Sequence, residues 1–186
     1  YEKTNAHCDV LIAGGGAGGL MAALQAGRSG ARVILADEQN EFGGWLLGES
    51  DTTIDGKAPA DWVAVVVAEL EAMPEVTLLP RTTVFGYMDH NYITLTERVT
   101  DHLGERPTHL PRQRMWKVRA GQTVLAQGAH ERPLVFSGND LPGVMLSGAV
   151  RSYITRYGVV PGNRTVVFTN NDDAYRTALA LSLIHI

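Results

Sequence analysis

Apolar runs alternate with glycine- and acid-bearing breaks along this chain, and the period of the pattern changes twice. Val10-Leu11-Ile12-Ala13, entered through Cys8-Asp9, predicts a buried strand that leads directly into the turn Gly14-Gly15-Gly16-Ala17-Gly18-Gly19. Leu20, Ala23, Leu24 and Gly27 then recur at i, i+3, i+4, i+7, which predicts a helix over 17–28 closed by Ser29-Gly30. Residues 31–37 read as a second buried strand, Val33-Ile34-Leu35-Ala36 with Asp37 at its carboxyl end. Strand, helix, strand at this spacing is a parallel βαβ unit. Pro59 suits the start of a second helix, and Trp62, Val65, Val66, Glu69, Leu70 and Met73 fall on one stripe read as core packing. Pro74 stops it, and Val76-Thr77-Leu78-Leu79 predicts a third parallel strand.

From Thr82 the period becomes two. Residues 83–87, 92–96 and 115–119 predict three antiparallel strands, turned at Asp89-His90-Asn91 and in the polar stretch 101–111. Arg112, Arg114, Lys117 and Arg119 read as a solvated basic strand face. A separate apolar run, Thr123-Val124-Leu125-Ala126, is expected to return to the parallel sheet and to deliver Gly128 to the far side of the first turn. The expected fold is therefore α/β: a Rossmann-type dinucleotide-binding domain over 1–133 with an antiparallel meander insertion. Residues 134–186 are expected to be the incomplete start of a second Rossmann-like domain, with a helix over 147–157, a strand over 165–169 and a helix from Asp173. Superposing that strand-turn-helix on the first puts Asn170, Asp172 and Tyr175 at the places of Gly14, Gly16 and Gly19. Like charges from Asp172 and Asp173 would repel a pyrophosphate, so this copy is expected to be degenerate scaffold.

Composition narrows the class. With 186 residues, 45% of them hydrophobic, the chain can bury a real core, and a formal net charge of −4 gives no electrostatic reason to expect nucleic acid or a membrane surface. No apolar run approaches the ~20 residues of a membrane span and no signal peptide opens the chain, so a cytoplasmic protein is expected. A single cysteine, Cys8, excludes an internal disulfide and reads as a small core residue. The histidines show no metal-ligand spacing with it, and no metal is expected. Tyr1 at the start, and a last helix with no strand after it, predict a piece of a longer polypeptide; Leu183-Ile184-His185-Ile186 could be foreign to it.

The chemistry sits at the first turn. Gly14, Gly16 and Gly19 form G-x-G-x-x-G between a strand and a helix: a tight turn, room for a pyrophosphate, and close helix–strand packing. Asp37 follows at about 20 residues, the separation of a carboxylate that binds the adenosine ribose hydroxyls. Glu38 beside it would repel the extra phosphate of NADP. Gly43-Gly44 either lets the backbone pass near the cofactor or is an ordinary loop. The expected cofactor-binding set is Gly14, Gly15, Gly16, Ala17, Gly18, Gly19, Asp37, Glu38, Gln39, Gly43, Gly44 and Gly128. No side chain stands out as acid, base or nucleophile, so catalytic residues are unassigned.

These residues, with Tyr1-Glu2-Lys3, Gly86-Tyr87, Asp89-His90-Asn91, 113–120, 128–136, Asn139-Asp140, Pro142-Gly143-Val144-Met145 and 168–175, resemble the alpha subunits of heterotetrameric sarcosine oxidases over nearly the whole chain. The resemblance implies a subunit about five times as long, with a ferredoxin-like domain before this stretch and a folate-binding domain after it. It implies NAD in this subunit, FAD and covalently held FMN in the partner subunit and at the interface, and the oxidative demethylation of sarcosine with tetrahydrofolate and oxygen. Gln127 departs from the threonine usual in the family and places a bulkier side chain beside the dinucleotide. Two other readings stay open: an FAD-dependent pyridine-nucleotide, opine-type or cyanide-forming oxidoreductase subunit, and a nucleotide-binding scaffold without turnover.

Overall fold

The structure, a computed structural model, describes residues 1–184; the expectation about the last residues falls, for His185 and Ile186, outside them. The chain divides into two units, Tyr1–Leu46 with Thr53–Gly128, and Leu47–Thr52 with the chain from Ala129 onward.

The first unit is built on one six-stranded sheet. In chain order it contains β1 (Glu2–Ala13), α1 (Ala17–Arg28), β2 (Val33–Ala36), α2 (Pro59–Glu71), β3 (Val76–Leu79), β4 (Thr82–Met88), β5 (Tyr92–Arg98) and β6 (Gln113–Leu125). The strand order is β3-β2-β1-β6-β5-β4. β1 pairs in parallel with β2 (Leu11 opposite Ile34) and with β6 (Leu11 opposite Thr123), and β2 pairs in parallel with β3. β4–β5 and β5–β6 are antiparallel. The α/β arrangement expected from the sequence, parallel βαβ units with an antiparallel meander, is present.

Its strands differ from expectation in two respects: β1 begins at Glu2 rather than near Cys8, because its first residues pair with Arg114–Ala120 of β6, and the meander is not a separate insertion. The third meander strand and the returning parallel strand are a single element, β6, antiparallel to β5 over Gln113–Arg119 and parallel to β1 as far as Leu125. Ala120-Gly121-Gln122 reads as a break because glycine interrupts the alternation. In the fold Gly121 lets the strand run on: a Cβ there would stand 2.9 Å from the Asp9 carbonyl oxygen, so only glycine admits that approach of β6 to β1. The meander therefore extends the parallel sheet, and Ile93, Leu95, Val118 and Ala120 share one buried cluster with Cys8, Leu11, Ala13, Ile34, Ala36 and Leu79. Val33 and Leu35, on the other side of β2, are as deeply buried. Each buried valine, leucine or isoleucine among them contributes about 1.5–3 kcal/mol by leaving water.

α1 buries Gly19, Leu20, Ala23 and Leu24, as its periodicity predicts. α2 buries Trp62, Val63, Val66 and Leu70, whereas Val65 and Glu69 face solvent. The stripe is rotated toward Val63, and Glu69 at its edge pairs with Arg28 of α1, Oε1 to Nε at 2.7 Å. The basic residues of β6 and the arginine before it are not merely solvated: Arg114 is held between Glu2 (2.8 Å) and Glu97 (3.1 Å), Arg112 pairs with Asp101, and the Arg119 guanidinium lies over the Tyr92 ring.

In the second unit α3 (Ser147–Thr155) and α4 (Asp173–Ile184) form where expected, α3 ending two residues early. The first turn of α3 is closed from outside, with the Gly148 amide donating to Glu131 Oε2 at 2.6 Å. The strand expected over 165–169 does not form. A strand exists by pairing, none of the described residues pairs with this segment, and Val166 is 93% exposed. Asn171 Oδ1 instead accepts the Asp173 amide, and Asp173 opens α4.

Candidate functional site

Three elements meet at the carboxyl end of β1. Gly14 takes φ +104°, a conformation that L side chains rarely adopt, and a Cβ there would collide with the Ala126 carbonyl at the end of β6. A Cβ on Gly19 would overlap the Gly14 carbonyl oxygen, so only glycine lets α1 start this close to the turn. Gly16 is different: its backbone is extended (φ −72°, ψ −171°) and a Cβ would meet nothing within 4 Å. The outer glycines are required by the fold, and the middle one leaves space unclaimed by protein.

That space lies at the N-terminus of α1. Gly16 is its N-cap residue, no side chain caps the amides of its first turn, and no acidic residue stands there. Ala17 and Gly18 are exposed, with open space beside Gly18. An uncapped helix start carrying partial positive charge favours an anion.

Asp37 at the tip of β2 closes one side. Its Oδ2 accepts the Gly15 amide at 2.6 Å and its Oδ1 the Gln39 amide at 2.8 Å. Each oxygen keeps a second acceptor position, so the carboxylate is fixed in direction and still able to take hydroxyls. Gly43 donates its amide to the Gly15 carbonyl at 2.8 Å, and a Cβ on Gly44 (φ +54°) would stand 3.2 Å from Gly16 Cα. Thus Gly14, Gly15, Gly16, Gly19, Asp37, Gln39, Gly43 and Gly44 come together. The Glu38 side chain is exposed, and Gly128 (φ +69°), two residues beyond Ala126, has open space beside it.

Two further participants carry no motif. Phe42, 8% exposed, lies under Gly15, where a Cβ would strike its ring; an aromatic residue directly before Gly43-Gly44 was the available signal. The Ala126 carbonyl is a backbone group and leaves none. Cys8, buried in β1, has its thiol pushed up to about 11 chiefly by burial, with the Asp9 charge adding to it, and takes no part in this chemistry.

A parallel sheet with a glycine turn, an uncapped helix and a strand-tip carboxylate is a dinucleotide-binding architecture. The sequence profile of the FAD dependent oxidoreductase family matches residues 9–153, and the chain belongs to that family. Its sequence is 54% identical over 97% of its length to the sarcosine oxidase subunit alpha of Rhizobium meliloti (strain 1021), and 52% identical over 94% to that of Corynebacterium sp. (strain P-1). The resemblance read from the motifs is thereby borne out, and the chain spans 18% of the length of each of these curated relatives. Its fold matches the L-proline dehydrogenase from P. horikoshii with a TM-score of 0.71 at 24% identity, covering 87% of this chain and 31% of that one. No helix among the described residues is long and apolar enough to cross a membrane.

Proposed function

We propose that this chain is the dinucleotide-binding segment of a sarcosine oxidase alpha subunit, with residues 1–133 as the nucleotide domain and 134–186 beginning a second, degenerate one. The observation that carries the site is the bond from the Gly15 amide to Asp37. It ties the glycine turn to the strand tip and sets a carboxylate beside the uncapped start of α1. The amides at 16–19 hold the pyrophosphate, Asp37 takes the adenosine ribose hydroxyls, and Gly43, Gly44 and Gly128 leave backbone room for the rest of the ligand. The dinucleotide is NAD, as the resemblance read from the sequence motifs implies. FAD in the same turn is the second reading, favoured by the family match over 9–153.

The residues fit such a group: the space beside Gly16 and Gly18 and the directed carboxylate are what a diphosphate joined to a ribose requires. When bound, a redox dinucleotide supplies hydride chemistry that no side chain of this segment provides. The segment itself binds and orients. In the whole protein, a cytoplasmic hetero-oligomer with further FAD and FMN, sarcosine would be demethylated to glycine. Oxygen would be reduced to hydrogen peroxide and the one-carbon unit captured by tetrahydrofolate as 5,10-methylenetetrahydrofolate. Denaturing the purified complex and weighing the released nucleotides tests the site: NAD in proportion to the alpha subunit supports the first reading. Alpha subunit separated from its partners and still bearing FAD supports the second, and a separated alpha subunit with neither NAD nor FAD refutes both.

A further inference from the structure

We infer that Arg98, at the end of β5, is a positioning residue for the ribose-binding carboxylate; the inference rests on the dinucleotide reading of the Asp37 site. Its guanidinium Nη2 donates to the Glu38 carbonyl at 2.9 Å, across sixty residues of sequence. The neighbouring carbonyls are held from the same side. Asp37 O accepts the Thr82 amide at 2.7 Å and Gln39 O the Arg81 amide at 2.7 Å. The Arg81 carbonyl in turn accepts the Arg98 amide at 3.0 Å. Gln39, Arg81 and Arg98 thus close a ring of hydrogen bonds that returns to Glu38.

Every carbonyl of Asp37-Glu38-Gln39 is taken by the β3–β4 corner or by β5, while the amides at Gly15 and Gln39 fix the Asp37 carboxylate. Arg81 keeps a left-handed backbone (φ +54°) to make its link, a conformation a non-glycine residue holds only where its surroundings impose it. Of the three groups gripping those carbonyls, two are backbone amides that any sequence could supply. Arg98 is the one side chain, its donor is charged, and it sits on the exposed rim where a role in the core is excluded. The meander is in this respect part of the nucleotide site: it sets the angle at which Asp37 meets the ribose.

The test uses the full-length polypeptide in its assembled complex, stripped of nucleotide, with ADP and 2′-deoxy-ADP as probes, since both NAD and FAD contain the ADP half. Arg98→Met keeps the aliphatic stem and removes the donor; Arg98→Lys keeps a cation. We expect Arg98→Met to weaken ADP binding about fivefold, the equivalent of one hydrogen bond, and to erase most of the preference for ADP over 2′-deoxy-ADP. Arg98→Lys should restore that preference, and the Gln39 amide should exchange with solvent about tenfold faster in Arg98→Met. An unchanged preference and unchanged Gln39 exchange in Arg98→Met, with Gly16→Val abolishing ADP binding, overturns the role of Arg98 alone. Undiminished ADP binding at the alpha subunit in Gly16→Val overturns the dinucleotide reading beneath it.

Discussion

Two glycines three residues apart offer a sharp test, because the fold assigns them opposite duties. At Gly16 the backbone is ordinary for an L residue and a Cβ would enter open space, so Gly16→Ala leaves the native contacts intact. The narrower unfolded ensemble of alanine, about 0.4–1 kcal/mol in its favour, is offset by its poorer N-capping of α1, so stability should change by less than about 0.5 kcal/mol. The same methyl stands where the diphosphate must approach, and dinucleotide affinity should fall at least about tenfold, or roughly 1.4 kcal/mol. At Gly19 alanine gains about 1 kcal/mol of helix propensity but drives its methyl into the Gly14 carbonyl, a backbone group that cannot rotate away. Overpacking of this kind costs about 3 kcal/mol, leaving a net loss near 2 kcal/mol and a Tm lower by roughly 4–8 °C. Calorimetry and isothermal titration on both variants make the comparison. If Gly16→Ala lowered Tm as much as Gly19→Ala and bound nucleotide normally, the division between fold glycines and ligand glycine would be wrong.

Asp37→Ala removes the acceptor of two amides as well as the ribose contact, so it should lose stability by about 1–3 kcal/mol together with affinity. Asp37→Asn should recover part of the stability but little of the affinity, read by denaturant titration beside ligand binding. Cys8, with its thiol near 11, should resist alkylation at pH 8 in the native protein and react at the rate of a free thiol once unfolded; native labelling at the free-thiol rate would contradict its burial. The Arg32 guanidinium, chiefly by hydrogen bonding, holds the Asp9 carboxyl down to about 2 from 3.8. Because the folded value is the lower one, the pair's contribution is complete above about pH 4 and is lost as pH falls toward 2. Asp9→Asn should flatten that part of the acid-unfolding curve; an unaltered curve would show the pair to be inert.

Much of the site was legible because its physics is local. A turn that needs φ +104° at Gly14, a helix start that admits only hydrogen at Gly19, and apolar periods of two and 3.6 are each set within a few residues, and they predicted α1, β2, β3 and the first turn. That Gly43-Gly44 would meet the first turn was not legible: the Gly43 amide reaches the Gly15 carbonyl, a contact whose sequence separation no spacing rule covers. The split of β6 into two strands failed for the opposite reason: Gly121 looks like a break along the chain and is a close approach across it.

By itself the sequence determined which residues can bend, which must be buried, and that a carboxylate follows a glycine turn at the spacing of a dinucleotide site. Only the tertiary structure decided which way that carboxylate points. Its direction depends on amides from Gly15 and Gln39 and on carbonyl partners at Thr82, Arg81 and Arg98. Those groups come from strands paired across the sheet, and pairing is a property of register rather than of neighbouring residues. The segment over 165–169 shows the same dependence from the other side: its residues have strand character, and with no partner among the described residues they make no strand.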